Sequence, residues 1–190
     1  MDDARFEIIR RSIAEAPVIM KGKYPYFIHP LSDGVPSQSA ELLGAARDLI
    51  FENVDWTKVD IILGIEAMGI PLAAALCLSS GKPLVVGRKR EYGLPGETSI
   101  DQTTGYSKGA IYLNDIKKGD RVFVVDDVVS TGGTLLPILQ AIDRIGAVVA
   151  DCWIVFEKGE GMDFVRSHGD WPLNSLVRIQ MDGDKVTVLE

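Results

Sequence analysis

The stretch VFVVDDVVSTGGTL, residues 122–135, constrains this chain more than any other. Four apolar residues in succession, without alternation, predict a strand buried on both faces, which the interior of a covered, mainly parallel sheet provides. The strand runs directly into Asp126 and Asp127, then Val128 and Val129, then Ser130, Thr131, Gly132, Gly133 and Thr134; Leu135, Leu139, Ile142 and Ile145 follow at helical spacing. Adjacent carboxylates at a strand end repel and cost stability unless a cation or sugar hydroxyls engage them. Carboxylate oxygens accept from a vicinal diol and suit Mg²⁺, directly or through water. Glycines let backbone N–H groups converge, hydroxyls add donors, and a helix N-terminus favours an anion. A diol site beside a phosphate cradle is what a ribose 5-phosphate requires. The alternative is a strand–turn–helix junction with solvated aspartates. It accounts for DD or TGGT taken singly but not for the ordered string. No Lys follows the glycines as in a Walker loop, and G-x-G-x-x-G is absent.

The remaining chain supplies the sheet that this strand needs. Phe6, Ile9 and Ile13 predict a helix over about residues 3–15. The segment KGKYPYFIHPLSDGVPSQSA reads as irregular or short-stranded, and ELLGAARDLIFENV returns to helical spacing. A strand over 60–64, the loop GIEAMGI, an Ala-rich helix ended by Gly81 and a strand in KPLVVGRKR come next. Residues 91–108 show no periodicity and read as a candidate mobile loop. AIYLN and AVVADCWIVFE read as strands, and Asp182-Gly183 marks a hairpin between two last strands. Pro137 must fall in or near the first turn of its helix. Strands alternating with helices give an α/β fold with a central parallel sheet flanked by helices, where ligands bind at the carboxyl ends of the strands.

Composition narrows the class. A length of 190 residues suits a single domain, and 20 Lys and Arg against 27 Asp and Glu give a net charge of −7, which argues against nucleic acid as the main partner. Cys77 and Cys152 lie in apolar runs, as reduced core thiols do. No apolar run reaches the ~18 residues of a membrane helix, and MDDARFEIIRR is too charged for a signal peptide, so the expectation is a cytoplasmic protein without a membrane partner.

VFVVDDVVSTGGTL resembles the phosphoribosyl pyrophosphate signature of the type I phosphoribosyltransferases. ILGIEAMGIPLAAAL is similar to that family's diphosphate loop, and RKREYGLPGE with TTGYSKG to the flexible catalytic loop of its adenine-type members. With YPYFIHPLSDGVP and EKGEG included, the whole chain most resembles the archaeal hypoxanthine/guanine phosphoribosyltransferases. The resemblance implies a type I phosphoribosyltransferase fold with a small hood from about 17–38 and 157–190. It implies displacement of diphosphate from C1 of phosphoribosyl pyrophosphate by a purine nitrogen, through an oxocarbenium-like transition state, with Mg²⁺ as cofactor and a homodimer as assembly. Asp126 and Asp127 would take the ribose hydroxyls and the metal, Ser130 to Thr134 the 5-phosphate, and Glu66, Ala67, Met68 and Gly69 the diphosphate. Arg88, Lys89, Arg90 and Lys108 would neutralise the diphosphate, with Arg88 and Lys89 also catalytic; a solvated basic cluster is the alternative. Tyr106, Ser107 and Lys108 end a loop that would close over the substrates. The purine would meet Phe27 (core packing is the alternative), Val128 and Lys158 (a donor to a 6-oxo group, or a solvated surface lysine); His29 is a candidate whose alternative is structural. Many hypoxanthine/guanine members carry an acid where Ser130 stands, and many adenine members a Glu where Gly105 stands. Glu91, Glu97, Asp101, water and diphosphate are therefore the candidates for removing the purine proton. Adenine as acceptor and a ligand-sensing regulator on the same fold are the competing functions.

Overall fold

The computed structural model describes residues 3–21, 24–103, 108–183 and 185–189. The chain begins with helix α1 (Ala4–Ala14), capped by Asp3, whose carboxylate accepts from the Arg5 amide at 2.9 Å. Strands β1 (Val18–Lys21) and β2 (Tyr24–Phe27) form a separate antiparallel pair, and the short helix α2 (Pro30–Asp33) leads to α3 (Ala40–Asn53). Then come β3 (Ile61–Ile65), α4 (Gly69–Ser80), β4 (Leu84–Gly87), β5 (Thr98–Thr103), β6 (Lys108–Leu113), β7 (Arg121–Val129), α5 (Leu135–Ile145), β8 (Val148–Lys158), α6 (Gly161–Arg166), β9 (Leu173–Asp182) and β10 (Lys185–Leu189).

The main sheet has six strands in the order β10-β9-β8-β7-β3-β4. All neighbours are parallel except β9 and β10, the hairpin that turns at Asp182-Gly183. Both faces are covered, which explains the unbroken apolar run of β7. Val122 and Val124 enter a core with Leu63, Leu139 and Ile142, while Phe123 and Val125 enter the opposite core with Ile9, Ile50, Ile62 and Phe156. Pro137 is the third residue of α5, inside the first turn, where a missing N–H costs little. Gly81 and Gly146 close α4 and α5 in the left-handed conformation that other residues resist.

One sequence expectation needs correction. Residues 98–103, read as part of a mobile loop, are strand β5, paired antiparallel with β6. The segment holds a single large apolar residue, Ile100, too little for periodicity to register. Ile100 is 2 % exposed, lies opposite buried Ile111, and anchors the hairpin on the α5 face of the core. A mutual backbone pair between Arg88 and Tyr112 (3.0 and 2.7 Å) fastens β6 to the end of β4. Residues 104–107, and with them Gly105, Tyr106 and Ser107, lie outside the described residues, as does the side chain of Lys108.

Candidate functional site

The carboxyl ends of β3, β7 and β8 open into a cleft of about 710 Å³. Its floor is the DDVVSTGGT segment, residues 126–134. Asp126, Asp127 and Val128 still belong to β7, and Ser130 to Thr134 turn from it into α5. Gly132 holds φ +77°, a left-handed turn suited to glycine. Close approach from behind shapes the turn: a Cβ on Gly161, at the start of α6, would lie 2.5 Å from the Ser130 carbonyl carbon and 2.8 Å from the Thr131 nitrogen. Thr131 Oγ1 accepts from the Gly133 amide at 3.3 Å.

The two carboxylates are poorly solvated. Burial is the first cause that pushes the Asp126 carboxyl up, and the Lys89 ammonium, facing the same cleft, acts in the opposite sense. Asp127 rises well above the usual carboxylate range, again by burial first and then through the charge of Asp126. Its own amide donates to Asp126 Oδ1 at 3.0 Å. A pair of this kind calls for a cation or for hydroxyl donors. Among the described residues no group of three or more His, Cys, Asp or Glu forms a metal cage. An ion here would therefore rely on two carboxylates at most, plus substrate and water oxygens, a donor set that suits Mg²⁺.

The second wall is the loop between β3 and α4. Glu66, Ala67 and Met68 line the cleft, and the Glu66–Ala67 peptide is cis. Gly69 lies directly behind them: a Cβ there would meet Asp126 Oδ1 and the Val125 carbonyl, both at 2.9 Å. Glu66 ties this loop to the basic run, pairing with Arg88 Nε at 2.9 Å and accepting from the Lys89 amide at 3.0 Å. Of the three basic residues, Lys89 lines the cleft. Arg88 is engaged by Glu66, and Arg90 sits over the Tyr92 ring at 5.6 Å from its centroid; neither reaches the cleft wall.

Opposite, the cleft is bordered by side chains: Phe27, Val128, Lys158 and, unread in the sequence, Tyr26, Ser32 and Ile179. Phe27 belongs to the core as well as the wall. It is 6 % exposed, stacks on His29 at 5.2 Å and meets Phe156 edge-on at 5.7 Å. His29 is fully buried and structural: Nδ1 accepts from the Leu31 amide at 3.1 Å and Nε2 shares a hydrogen bond with Ser12 at 2.9 Å. Burial holds the imidazole down near 4. Tyr26 and Ser32 both donate to Asp33, at 2.7 and 2.8 Å. Nothing in the local sequence marks the Tyr26 hydroxyl, because its partner lies across the junction of β2 and α2, while Ser32 bonds the residue that follows it.

Glu97 has a local task. Its carboxylate accepts from the amides of Tyr92 and Gly93 and from Asn114 Nδ2, which lowers its pKa and closes residues 92–97 on themselves. Glu91 and Asp101 are exposed. The sequence reading missed Gln102 on β5, which lines the cleft and donates from Nε2 to Thr134 Oγ1 at 2.6 Å.

Comparison with known proteins agrees with this geometry. The family model described as "Phosphoribosyl transferase domain" matches residues 38–175. A hypoxanthine/guanine phosphoribosyltransferase of Methanothrix thermoacetophila is 50 % identical over 184 residues, covering 97 % of this chain and 96 % of the relative. A protein of the same name from Ferroglobus placidus is 51 % identical over 179 residues, covering 94 % and 95 %. Among solved structures, the adenine phosphoribosyltransferase of Rhodothermus marinus superposes with a TM-score of 0.75 at 21 % identity, covering 95 % of this chain and all of that one, a likeness of fold.

Proposed function

Because the chain belongs to the phosphoribosyltransferase family, with the type I fold, we propose that it is a purine-salvage enzyme. It transfers the phosphoribosyl group of phosphoribosyl pyrophosphate to hypoxanthine or guanine, giving IMP or GMP and diphosphate. The observation that carries this reading is the cleft itself: a carboxylate pair, Asp126 buried and Asp127 half-buried, stands between the STGGT turn and the Glu66–Met68 loop, in a chain half identical to hypoxanthine/guanine phosphoribosyltransferases over nearly its full length.

In this reading Asp126 and Asp127 hold the ribose hydroxyls. Ser130, Thr131, Gly132, Gly133 and Thr134 hold the 5-phosphate, and Glu66, Ala67, Met68 and Gly69 the diphosphate, helped directly by Lys89, while Arg88 and Arg90, off the cleft wall, add only long-range positive charge. Asp126 and Asp127 would also hold Mg²⁺, directly or through water; the ion supplies positive charge to the leaving diphosphate. The rest of catalysis is positioning and electrostatics, which fits a floor built from backbone rather than from a nucleophile. Phe27, Val128 and Lys158 meet the purine beneath a hood formed by about 17–38 and 157–190. The uncharged helix α4, whose Leu78 is 88 % exposed, supports a homodimer joined near that face. No helix among the described residues is long and apolar enough to cross a membrane.

The base preference is the decisive test. A 6-oxo group accepts hydrogen bonds and a 6-amino group donates them, so a site built around a donor such as Lys158 leaves that donor unpaired with adenine. The mismatch costs roughly 1–3 kcal/mol, about tenfold to a few hundredfold in kcat/KM. The comparison is kcat/KM for hypoxanthine against adenine under identical salt and Mg²⁺. A ratio below one moves the chain to adenine and leaves the ribose-phosphate assignment standing.

A further inference from the structure

We propose that Gln102 is a positioning residue that aims the Thr134 hydroxyl at the phosphate end of the cleft and so couples the β5–β6 hairpin to the STGGT turn; this rests on the reading of that turn as the 5-phosphate site. Thr134 stands at the N-cap of α5, where a hydroxyl ordinarily accepts from the second or third amide of the helix. Here neither amide calls on it. The Leu136 amide donates to the Gly132 carbonyl at 3.0 Å, and the third residue, Pro137, has no N–H. The Thr134 oxygen makes no capping hydrogen bond and instead accepts from Gln102 Nε2 at 2.6 Å.

A hydroxyl has one proton and two lone pairs. With one lone pair occupied by the Gln102 amide, the proton is left to donate, and both residues line the cleft. Accepting one hydrogen bond strengthens the next one donated along the chain. The donor is itself well placed. Ile100, two residues earlier on the same face of β5, is buried in the core, and β6 is fastened to β4 through Arg88 and Tyr112. Gln102 therefore reports the position of the hairpin to the turn, and a ligand held by Thr134 feels where the hairpin stands. An amide suits this task because it donates without adding charge. A carboxylate of the same length would take the Thr134 proton and set a negative charge beside the anion.

The test uses the full-length protein with Mg²⁺ and calorimetric titration of two ligands, phosphoribosyl pyrophosphate and ribose 5-phosphate, which shares the 5-phosphate but lacks the diphosphate. Gln102→Ala is expected to weaken both by a similar factor, roughly three- to tenfold, the range of one hydrogen bond. Gln102→Glu should weaken both further, and Thr134→Val about as much as Gln102→Ala. The double variant Gln102→Ala/Thr134→Val should bind no more weakly than Thr134→Val alone. For Gln102→Ala, KM for phosphoribosyl pyrophosphate should rise with binding while kcat stays within about twofold, and the melting temperature should fall by no more than about 1–6 °C, the loss of one hydrogen bond. Wild-type binding of both ligands with Gln102→Ala equal to it, or single effects that add in full, would overturn this inference alone. Wild-type protein that binds neither ligand would overturn the function on which it rests.

Discussion

Gly69 offers the sharpest structural prediction. It lies where the loop between β3 and α4 crosses behind Asp126, and a methyl group there would stand 2.9 Å from both Asp126 Oδ1 and the Val125 carbonyl and 3.3 Å from the Asp126 Cα. Relief to ordinary contact requires roughly half an ångström. The Val125 carbonyl and the Asp126 Cα do not yield cheaply, because both are main-chain atoms of β7, held between β3 and β8. Gly69→Ala should therefore push the Glu66–Met68 loop outward. Overpacking of this kind costs about 1–3 kcal/mol, or a fall in melting temperature of roughly 2–12 °C for a domain of this size. Where a misplacement of 1 Å costs on the order of a hundredfold in rate, half of that should lower kcat/KM for phosphoribosyl pyrophosphate about tenfold. Gly44→Ala is the matched control. It sits within α3 with nothing within 4 Å of the added carbon, so it should gain about 0.5–1 kcal/mol, a rise of roughly 1–4 °C, with activity unchanged. The experiment is thermal unfolding and steady-state kinetics on the three proteins in parallel. A Gly69→Ala protein within 1 °C and twofold of wild type would refute the close approach of loop and strand.

Three further outcomes are expected. Asp126→Asn/Asp127→Asn should abolish turnover while leaving the protein folded. Because burial raises both carboxyls in the folded state, their contribution to stability is best at acidic pH. In the ligand-free wild type it is lost as pH rises from the ordinary value near 3.8 through the raised value, about 6 for Asp126, so the double variant should melt higher than wild type at pH 7 and lose that slope. Phosphoribosyl pyrophosphate with Mg²⁺ at 100 times its Kd should stabilise the wild type by about 2.7 kcal/mol, roughly 5–11 °C, and no shift at millimolar ligand in an active preparation would contradict the binding site. Light scattering should give a dimer mass; a monomer near 20.7 kDa at micromolar concentration would remove the dimer.

The parts of the site legible in the sequence are those that one continuous stretch creates. β7, its paired aspartates and the STGGT turn follow from local strand and turn chemistry, and the Pro137 position was legible because only the first turn accommodates a proline. The hairpin segment 98–103 was not legible, because one buried Ile100 in a polar run leaves no period to detect. Gln102 and Gly161 escaped for a different reason. Their importance lies in contacts with residues about thirty positions away, and no spacing rule records which amide meets which hydroxyl. The run Arg88, Lys89 and Arg90 shows the same limit. Three cations in a row look alike, yet the fold gives one to Glu66, one to the cleft and one to an aromatic ring.

The cleft has two kinds of wall, and they differ in how they tolerate redesign. At the end formed by the STGGT turn and the β3–α4 loop, Gly69 and Gly161 lie against main chain, so a new side chain has nowhere to go. At the opposite end Val128 and Lys158 are half-buried side chains whose shape and polarity can change without moving a strand, whereas Phe27 and Ile179 also serve the core. A combinatorial library meant to retarget this protein to another heterocycle should therefore vary that second wall and leave both glycines untouched, and variants recovered from it should differ in the acceptor they use while keeping one sugar donor.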